Sequence, residues 1–358
     1  MTLTSMLRSA LIASTALAGL GQAASAQSDE PLTYFTWAGY DNPEFRAPYT
    51  EQYGEDGVNF AFYSSADEAF SKLRGGFEAD IAHSCVHDVQ KWAGADVIQP
   101  IDTDQLENWP DLIDGLKNAE ALQVNGEQMM VPWEWGASSV VYRSDKIDLQ
   151  DESYEILIDP AYKGRTAIID AVDEVFQLSA ILAGVEDPLN LKDDEYDKVA
   201  AMMRKLRDNA RFIWTDPGQL EQALASGEVD AAWSWPNSYA SLQKQGVPVE
   251  YMLEPKEGLV TWLCGFTIPK TADAPEEQIY DFIDALEAPE SGKALVENFG
   301  YGHANTKALE QVDQATLENL GLAGDANETI ENGNLMGPMP EEQRQRIVDM
   351  WTLIKSGG

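Results

Sequence analysis

The run Gln128-Met-Met-Val-Pro-Trp-Glu-Trp135 continues without interruption into Gly136-Ala-Ser-Ser-Val-Val-Tyr142, and this run sets the architecture of the chain. Two extended segments meet at a glycine with no turn signal between them, which is the pattern of one long strand. We expect this strand to leave a first lobe and to enter a second. The chain therefore has its first crossover between lobes near residue 137.

The segments that precede the crossover alternate between strand and helix patterns. Residues 32–37, 58–63 and 79–84 are rich in β-formers, and residues 65–74 have apolar side chains at helical spacing before Gly75-Gly76. Strand, helix and strand in this rhythm predict βαβ units. The predicted fold class is α/β, with mostly parallel sheets flanked by helices.

The second half of the chain repeats these patterns. Residues 166–170, 229–235 and 260–268 are strand candidates, and residues 279–286 and 341–354 are amphipathic helix candidates. A chain of 358 residues exceeds the size at which one core keeps growing. We predict a first lobe of residues 27–137 plus about 260–305, and a second of residues 138–259 plus about 306–358.

The N-terminus has the three parts of a secretory signal peptide. Arg8 lies in a short basic start, an apolar stretch runs to Leu20, and Ala24-Ser-Ala26 is a small-x-small cleavage site. We expect export to the periplasm, with cleavage after about Ala26. No later segment is long and apolar enough for membrane insertion.

The composition narrows the range of partners. Asp and Glu number 61 against 24 Lys and Arg, which gives a formal net charge of −37. Nucleic-acid binding is excluded, because phosphate contacts require basic side chains. We expect a monomer without a cofactor.

Aromatic residues sit where apolar runs end or loops begin. In an acidic chain, such rings favour a site for a cation, which is attracted to the face of an aromatic ring. Core packing is the simpler explanation for about half of them, because Trp is usually well buried. The eight rings are Trp37, Tyr40, Trp133, Trp135, Trp233, Trp235, Trp262 and Tyr301.

Catalytic and metal chemistry have little support. The sequence lacks a Gly-x-Ser-x-Gly elbow, so we expect no enzyme activity. His83 and His87 flank Ser84-Cys85 after a predicted strand, where helical ligand spacing is doubtful, so we expect no metal site. Glu174 follows a strand at a helix start, where it either complements the helix dipole or balances a bound ammonium.

Seven segments, in this order, resemble the periplasmic spermidine/putrescine-binding proteins of ABC importers. The likeness runs from Leu32 to Lys355, and its strength lies in shared order and spacing. The segments are YFTWAGY (34–40), VPWEWG (131–136), DEVFQ (173–177), WPNS (235–238), PKEG (255–258), IP (268–269) and FGY (299–301).

The resemblance implies a two-lobed periplasmic binding protein, type II-like, with a ligand cleft between the lobes and membrane permease subunits as partners. It implies that Trp37 and Tyr40 lie at the cleft and that Glu174 holds an amine. It further implies that three rings stack along the ligand's methylenes, namely Trp235, Trp262 and Tyr301.

Departures from the family pattern leave the ligand open. Cys264 stands where these binders have a cleft aspartate, Cys85 where they have a serine, and His87 where they have a tyrosine. The mapped positions of the two cysteines place them close together, which implies a disulfide in an oxidising compartment.

A polyamine is the expected ligand, and a compact singly charged or zwitterionic amine, such as a quaternary ammonium compound, is the alternative. A linear diamine needs a counter-charge at each end, whereas the mapped pocket keeps mainly one. Whether Asp170 or Asp173 supplies a second stays open at this point.

Overall fold

The computed structural model describes residues 30–358, so the predicted signal peptide, residues 1–26, lies outside the described residues. Eleven strands of the described residues form one large sheet, and two more form a small hairpin. The strands are β1 (Leu32–Trp37), β2 (Val58–Tyr63), β3 (Ile81–Cys85), β4 (Ile98–Gln99), β5 (Gln123–Val124), β6 (Glu127–Gln128), β7 (Val131–Arg143), β8 (Thr166–Ile169), β9 (Ala210–Trp214), β10 (Ala231–Ser234), β11 (Val249–Tyr251), β12 (Val260–Pro269) and β13 (Gly302–His303).

Helices connect the strands, and their ends carry the expected signals. The side chain of Ser65 caps the second helix by accepting from the backbone N–H of Glu68. The helices are α1 (Ala47–Tyr53), α2 (Ala66–Arg74), α3 (Val86–Gly94), α4 (Asp114–Lys117), α5 (Val172–Leu182), α6 (Asp193–Asn209), α7 (Pro217–Ser226), α8 (Pro236–Lys244), α9 (Glu276–Glu287), α10 (Pro289–Phe299), α11 (Thr306–Leu309), α12 (Gln314–Asn319), α13 (Ala326–Asn332) and α14 (Glu341–Lys355).

The large sheet has two parallel flanks and an antiparallel centre. Its strand order is β2-β1-β3-β12-β7-β10-β8-β9. On one flank β1 is parallel to β2 and β3, and on the other β8 is parallel to β9 and β10. The central strands β7 and β12 are antiparallel to each other and to the flanks.

The sheet is therefore mixed, whereas the sequence patterns predicted mostly parallel sheets. The reason is that β7 carries the chain from one flank to the other and β12 carries it back. Two neighbouring strands that cross in opposite senses must pair antiparallel. β7 spans Val131–Arg143 without a break, and every residue of β12 is buried.

One face of the two central strands collects polar and aromatic side chains. Glu134, Gly136 and Ser138 are two residues apart on β7, so they share a face. Their direct partners on β12 are Cys264, Trp262 and Val260. The candidate site is built outward from this face.

Candidate functional site

Glu174 is buried in the first turn of α5 and is held by three donors of the chain itself. The indole Nε1 of Trp233 lies 2.8 Å from its Oε2. The indole Nε1 of Trp235 and the Oγ of Ser138 each lie 2.8 Å from its Oε1. The carboxylate is thus fixed against β7 and β10, and Trp233 contributes a hydrogen bond as well as packing.

Burial raises the pKa of Glu174 above its ordinary value, because desolvation disfavours the charged form. The hydrogen bonds from Trp233, Trp235 and Ser138 act in the opposite direction, and the nearby charge of Asp173 adds to the rise. A carboxylate in this setting gains from a cation placed beside it, because the local dielectric is low.

Trp262 and Tyr301 form an edge-to-face pair beside Gly136. Their ring centroids are 4.8 Å apart, and both side chains are 5% exposed. The ring of Trp262 lies on Gly136 so closely that a Cβ there would come within 2.6 Å of it. Glycine at this position makes room for the ring.

Glu134, which the sequence did not single out, is a second buried carboxylate at the same face. Its Oε1 accepts a hydrogen bond of 2.5 Å from the hydroxyl of Tyr40 and lies 3.3 Å from Nε2 of His83. Its Oε2 has no hydrogen-bond partner among residues 30–358. The sequence feature that could have identified Glu134 is an acid inside an apolar strand, two residues before Gly136.

Tyr301 lies within electrostatic reach of both carboxylates. Burial raises its pKa well above the ordinary value, and the charges of Glu134 and Glu174 raise it further. Tyr301 also packs against Phe299, which in turn packs against Tyr40. The Trp262–Tyr301 pair is therefore within electrostatic reach of two buried acids.

Cys85 and Cys264 are joined by a disulfide, which is the pairing that the resemblance implies. Their Cα atoms are 3.8 Å apart, and the two residues are direct partners in the antiparallel pairing of β3 with β12. Cys264 is also the direct partner of Glu134 on β7. The disulfide links β3 to β12 next to Glu134.

Two further predicted residues, Trp37 and His87, make contacts with other residues than those of this face. Trp37 is half-buried and packs edge to face on Tyr63. His87 is largely buried, with Nε2 3.5 Å from Oδ2 of Asp88. Burial raises the pKa of Asp88.

Asp170 and Asp173 are both engaged by basic residues of α14. Lys355 Nζ lies 2.6 Å from Oδ1 of Asp170, which also accepts from Nε1 of Trp351. Arg344 bonds Asp173 at 2.9 Å. The acids that the sequence left open as second counter-charges thus already have cations, because the C-terminal helix packs against α5.

The histidines are spread over separate environments. His303 is buried, with Nε2 3.1 Å from the carbonyl oxygen of Leu286, and burial lowers its pKa to about 4. Donor atoms of His83, Glu134 and Cys264 lie within 4.8 Å of one another. Because Cys264 is in a disulfide, it offers no thiolate to this group.

Across residues 30–358, no helix combines the length and the apolar character needed to cross a membrane.

The family model for bacterial extracellular solute-binding proteins matches residues 44–320. The chain belongs to this family. The fold agrees: a spermidine/putrescine ABC transporter substrate-binding protein from Streptococcus pneumoniae superimposes with a TM-score of 0.73 at 21% identity, covering 91% of this chain and 99% of that one. The architecture is thus that of a two-lobed, type II-like binding protein.

Curated relatives carry names of polyamine receptors. The chain is 28% identical over 330 residues to the spermidine/putrescine-binding periplasmic protein of Escherichia coli (strain K12), covering 90% of this chain and 91% of the relative. It is 25% identical over 350 residues to a putrescine-binding periplasmic protein of the same organism, covering 93% of each.

Proposed function

We propose that this protein is a periplasmic receptor that binds a polyamine of the putrescine and spermidine class and delivers it to the permease subunits of an ABC importer. The role is binding without turnover, performed by a monomer after removal of the signal peptide near Ala26. The names of the relatives support the ligand class and the compartment.

The observation that carries the proposal is the setting of Glu174. A buried carboxylate is oriented by two indoles and one hydroxyl, and desolvation raises its pKa. An ammonium ion beside it would gain a charge-assisted hydrogen bond in a low dielectric. Trp262 and Tyr301 supply ring surface for the methylenes of the same ligand.

We place the cleft between a lobe of residues 27–137 plus about 260–305 and a lobe of residues 138–259 plus about 306–358. β7 crosses this boundary at residue 137 and β12 begins at it; Trp262 lies on β12, and Ser138, which bonds Glu174, lies on β7. The proposed ligand contacts are those predicted from the sequence, namely Trp37, Tyr40, Glu174, Trp235, Trp262 and Tyr301.

A thermal-shift screen tests the proposal, because a ligand that binds only the folded state raises the melting temperature. The panel is putrescine, spermidine, cadaverine, choline, glycine betaine, carnitine and γ-aminobutyrate. We expect the largest shifts with putrescine or spermidine. Shifts confined to trimethylated amines would instead identify a receptor for compact quaternary ammonium compounds.

A further inference from the structure

Glu134 combines a buried, partly unpartnered carboxylate with a place on the strand face that carries Gly136 and Ser138, whereas Glu287, also buried and without a hydrogen-bond partner among the described residues, lies in α9. Glu134 is 2% exposed, and its Oε2 has no hydrogen-bond partner within the described part of the chain. A buried carboxylate oxygen without a donor costs free energy, because water no longer solvates it. Within residues 30–358, Tyr40 donates the direct hydrogen bond to Oε1 and His83 Nε2 lies 3.3 Å from the same oxygen, so Oε2 stays available to a ligand.

Glu134 shares a strand face with Ser138, one of the three residues that hold Glu174. Ser138, which bonds Glu174, is four residues further along β7 on the same face. Four residues of extended strand span about 13 Å. Gly136 lies midway, and the ring of Trp262 covers it. A line along this face therefore passes from one carboxylate, over an aromatic ring, to the other.

The pairing of β7 with β12 places Glu134 opposite Cys264, the position at which the family pattern has an aspartate. Glu134 is the direct partner of Cys264, and donor atoms of these two residues lie within 4.8 Å of each other. The carboxylate of Glu134 thus lies beside position 264, where the family pattern has the carboxylate of an aspartate. Two buried acids are thus connected along this face through Ser138 and through Gly136, which the ring of Trp262 covers.

We infer that Glu134 is the second ammonium-binding carboxylate of the site and that the ligand is an extended dication, held by Glu174 at one end and by Glu134 at the other. This inference rests on the proposed function and narrows it. A compact monocation reaches only one acid, so the two carboxylates select for a chain with two separated charges.

Isothermal titration with putrescine, spermidine and butylamine tests the inference on wild-type protein and on Glu134→Gln. We expect the wild type to bind the better of the two polyamines at least 30-fold more tightly than butylamine. Glu134→Gln should weaken diamine binding by 10- to 100-fold and butylamine binding by less than 3-fold. Glu287→Gln, which changes a buried glutamate 1% exposed in α9, should leave both affinities unchanged.

A rescue experiment separates a binding role from a folding role. A triple variant combines Cys85→Ser, Cys264→Asp and Glu134→Gln, which moves the carboxylate from position 134 on β7 to position 264 on β12. The matched control carries Cys264→Ser in place of Cys264→Asp. Diamine affinity should recover at least 5-fold with aspartate relative to serine. Equal affinities of these two variants would overturn the inference.

The outcomes also separate the role of Glu134 from the proposed function as a polyamine receptor. Suppose that the wild type binds diamines and that Glu134→Gln binds them equally well, or loses affinity equally for diamine and monoamine. Either result overturns the role of Glu134 and leaves the function as a polyamine receptor in place. A wild type that binds trimethylated amines and no diamine overturns both.

Discussion

The two buried glutamates of the site differ in how the chain satisfies them. Glu174 accepts three hydrogen bonds from Trp233, Trp235 and Ser138. Glu134 accepts one hydroxyl bond, from Tyr40, and keeps one oxygen without a partner among the described residues. In the proposed complex, the Glu174 end is therefore built before a ligand arrives, whereas the Glu134 end is completed by the ligand.

This difference assigns separate tasks to the two ends. A carboxylate held in place by several donors gives affinity with little reorganisation, because its orientation is already fixed. A carboxylate with an unsatisfied oxygen adds affinity only for a ligand long enough to bond that oxygen, which gives specificity. Changes at the Glu174 end should thus affect all amines, and changes at the Glu134 end only the long ones.

The largest effect is expected from removing the disulfide at the Glu134 end. Cys85→Ser with Cys264→Ser should lower the free energy of unfolding by about 2–5 kcal/mol, because the bond closes a loop with a sequence separation of 179 residues. Urea denaturation measures this change. Butylamine affinity should stay near the wild-type value, since the bonds to Glu174 are kept; loss of butylamine binding would contradict the separation of the two ends.

Glu174→Gln is the next strongest test. It should weaken binding of every amine by about 1.5–3 kcal/mol, the range for a hydrogen bond to a charged group. Calorimetry with putrescine and butylamine measures this, and Glu221→Gln, a half-buried glutamate bonded to Ser241, is the control. Unchanged affinity would remove Glu174 from the site.

The pH dependence of binding should reveal the Glu174 end. Burial raises the pKa of Glu174, and an ammonium ion requires the ionised carboxylate. Affinity should be constant at high pH and fall as the pH drops through this raised pKa, by at most about tenfold per pH unit for one proton. Calorimetry between pH 8 and pH 4 should show the fall beginning above the pH at which an ordinary glutamate protonates. With butylamine, which reaches only the Glu174 end, Glu174→Gln should remove this dependence, and an identical profile in the variant would assign it to another group.

The smallest effect is expected from Tyr40→Phe. The change removes the one hydroxyl that bonds Glu134, which should cost about 1 kcal/mol of stability. Thermal denaturation measures it, with Tyr53→Phe, at a partly exposed bond to Asp281, as the control. An increase in stability would mean that the Tyr40 bond does not favour the folded state.

Local patterns in the sequence predicted several strands well. The strands observed at Leu32–Trp37 and Val58–Tyr63 have the predicted bounds, and β7 is one continuous strand through Gly136. These features depend on side-chain alternation within a segment, which a single sequence displays directly.

Glu134 could not be recognised in the same way, because its role depends on strand register. A glutamate between two tryptophans in an apolar run is ambiguous until β12 is placed beside it, with Cys264 opposite. Asp170 is a similar case. Its cation, Lys355, comes from a helix 185 residues away in sequence.

The position of β12 between β3 and β7 has a consequence for the order in which the molecule can assemble. β3 ends at Cys85 and β7 at Arg143, yet the strand that joins them begins only at Val260. During synthesis, the early segments emerge without the strand that pairs them. Because Cys85 precedes Cys264 by 179 residues, the proposed export would bring its thiol into an oxidising compartment before its native partner, and the late arrival of one strand completes both the sheet and the disulfide.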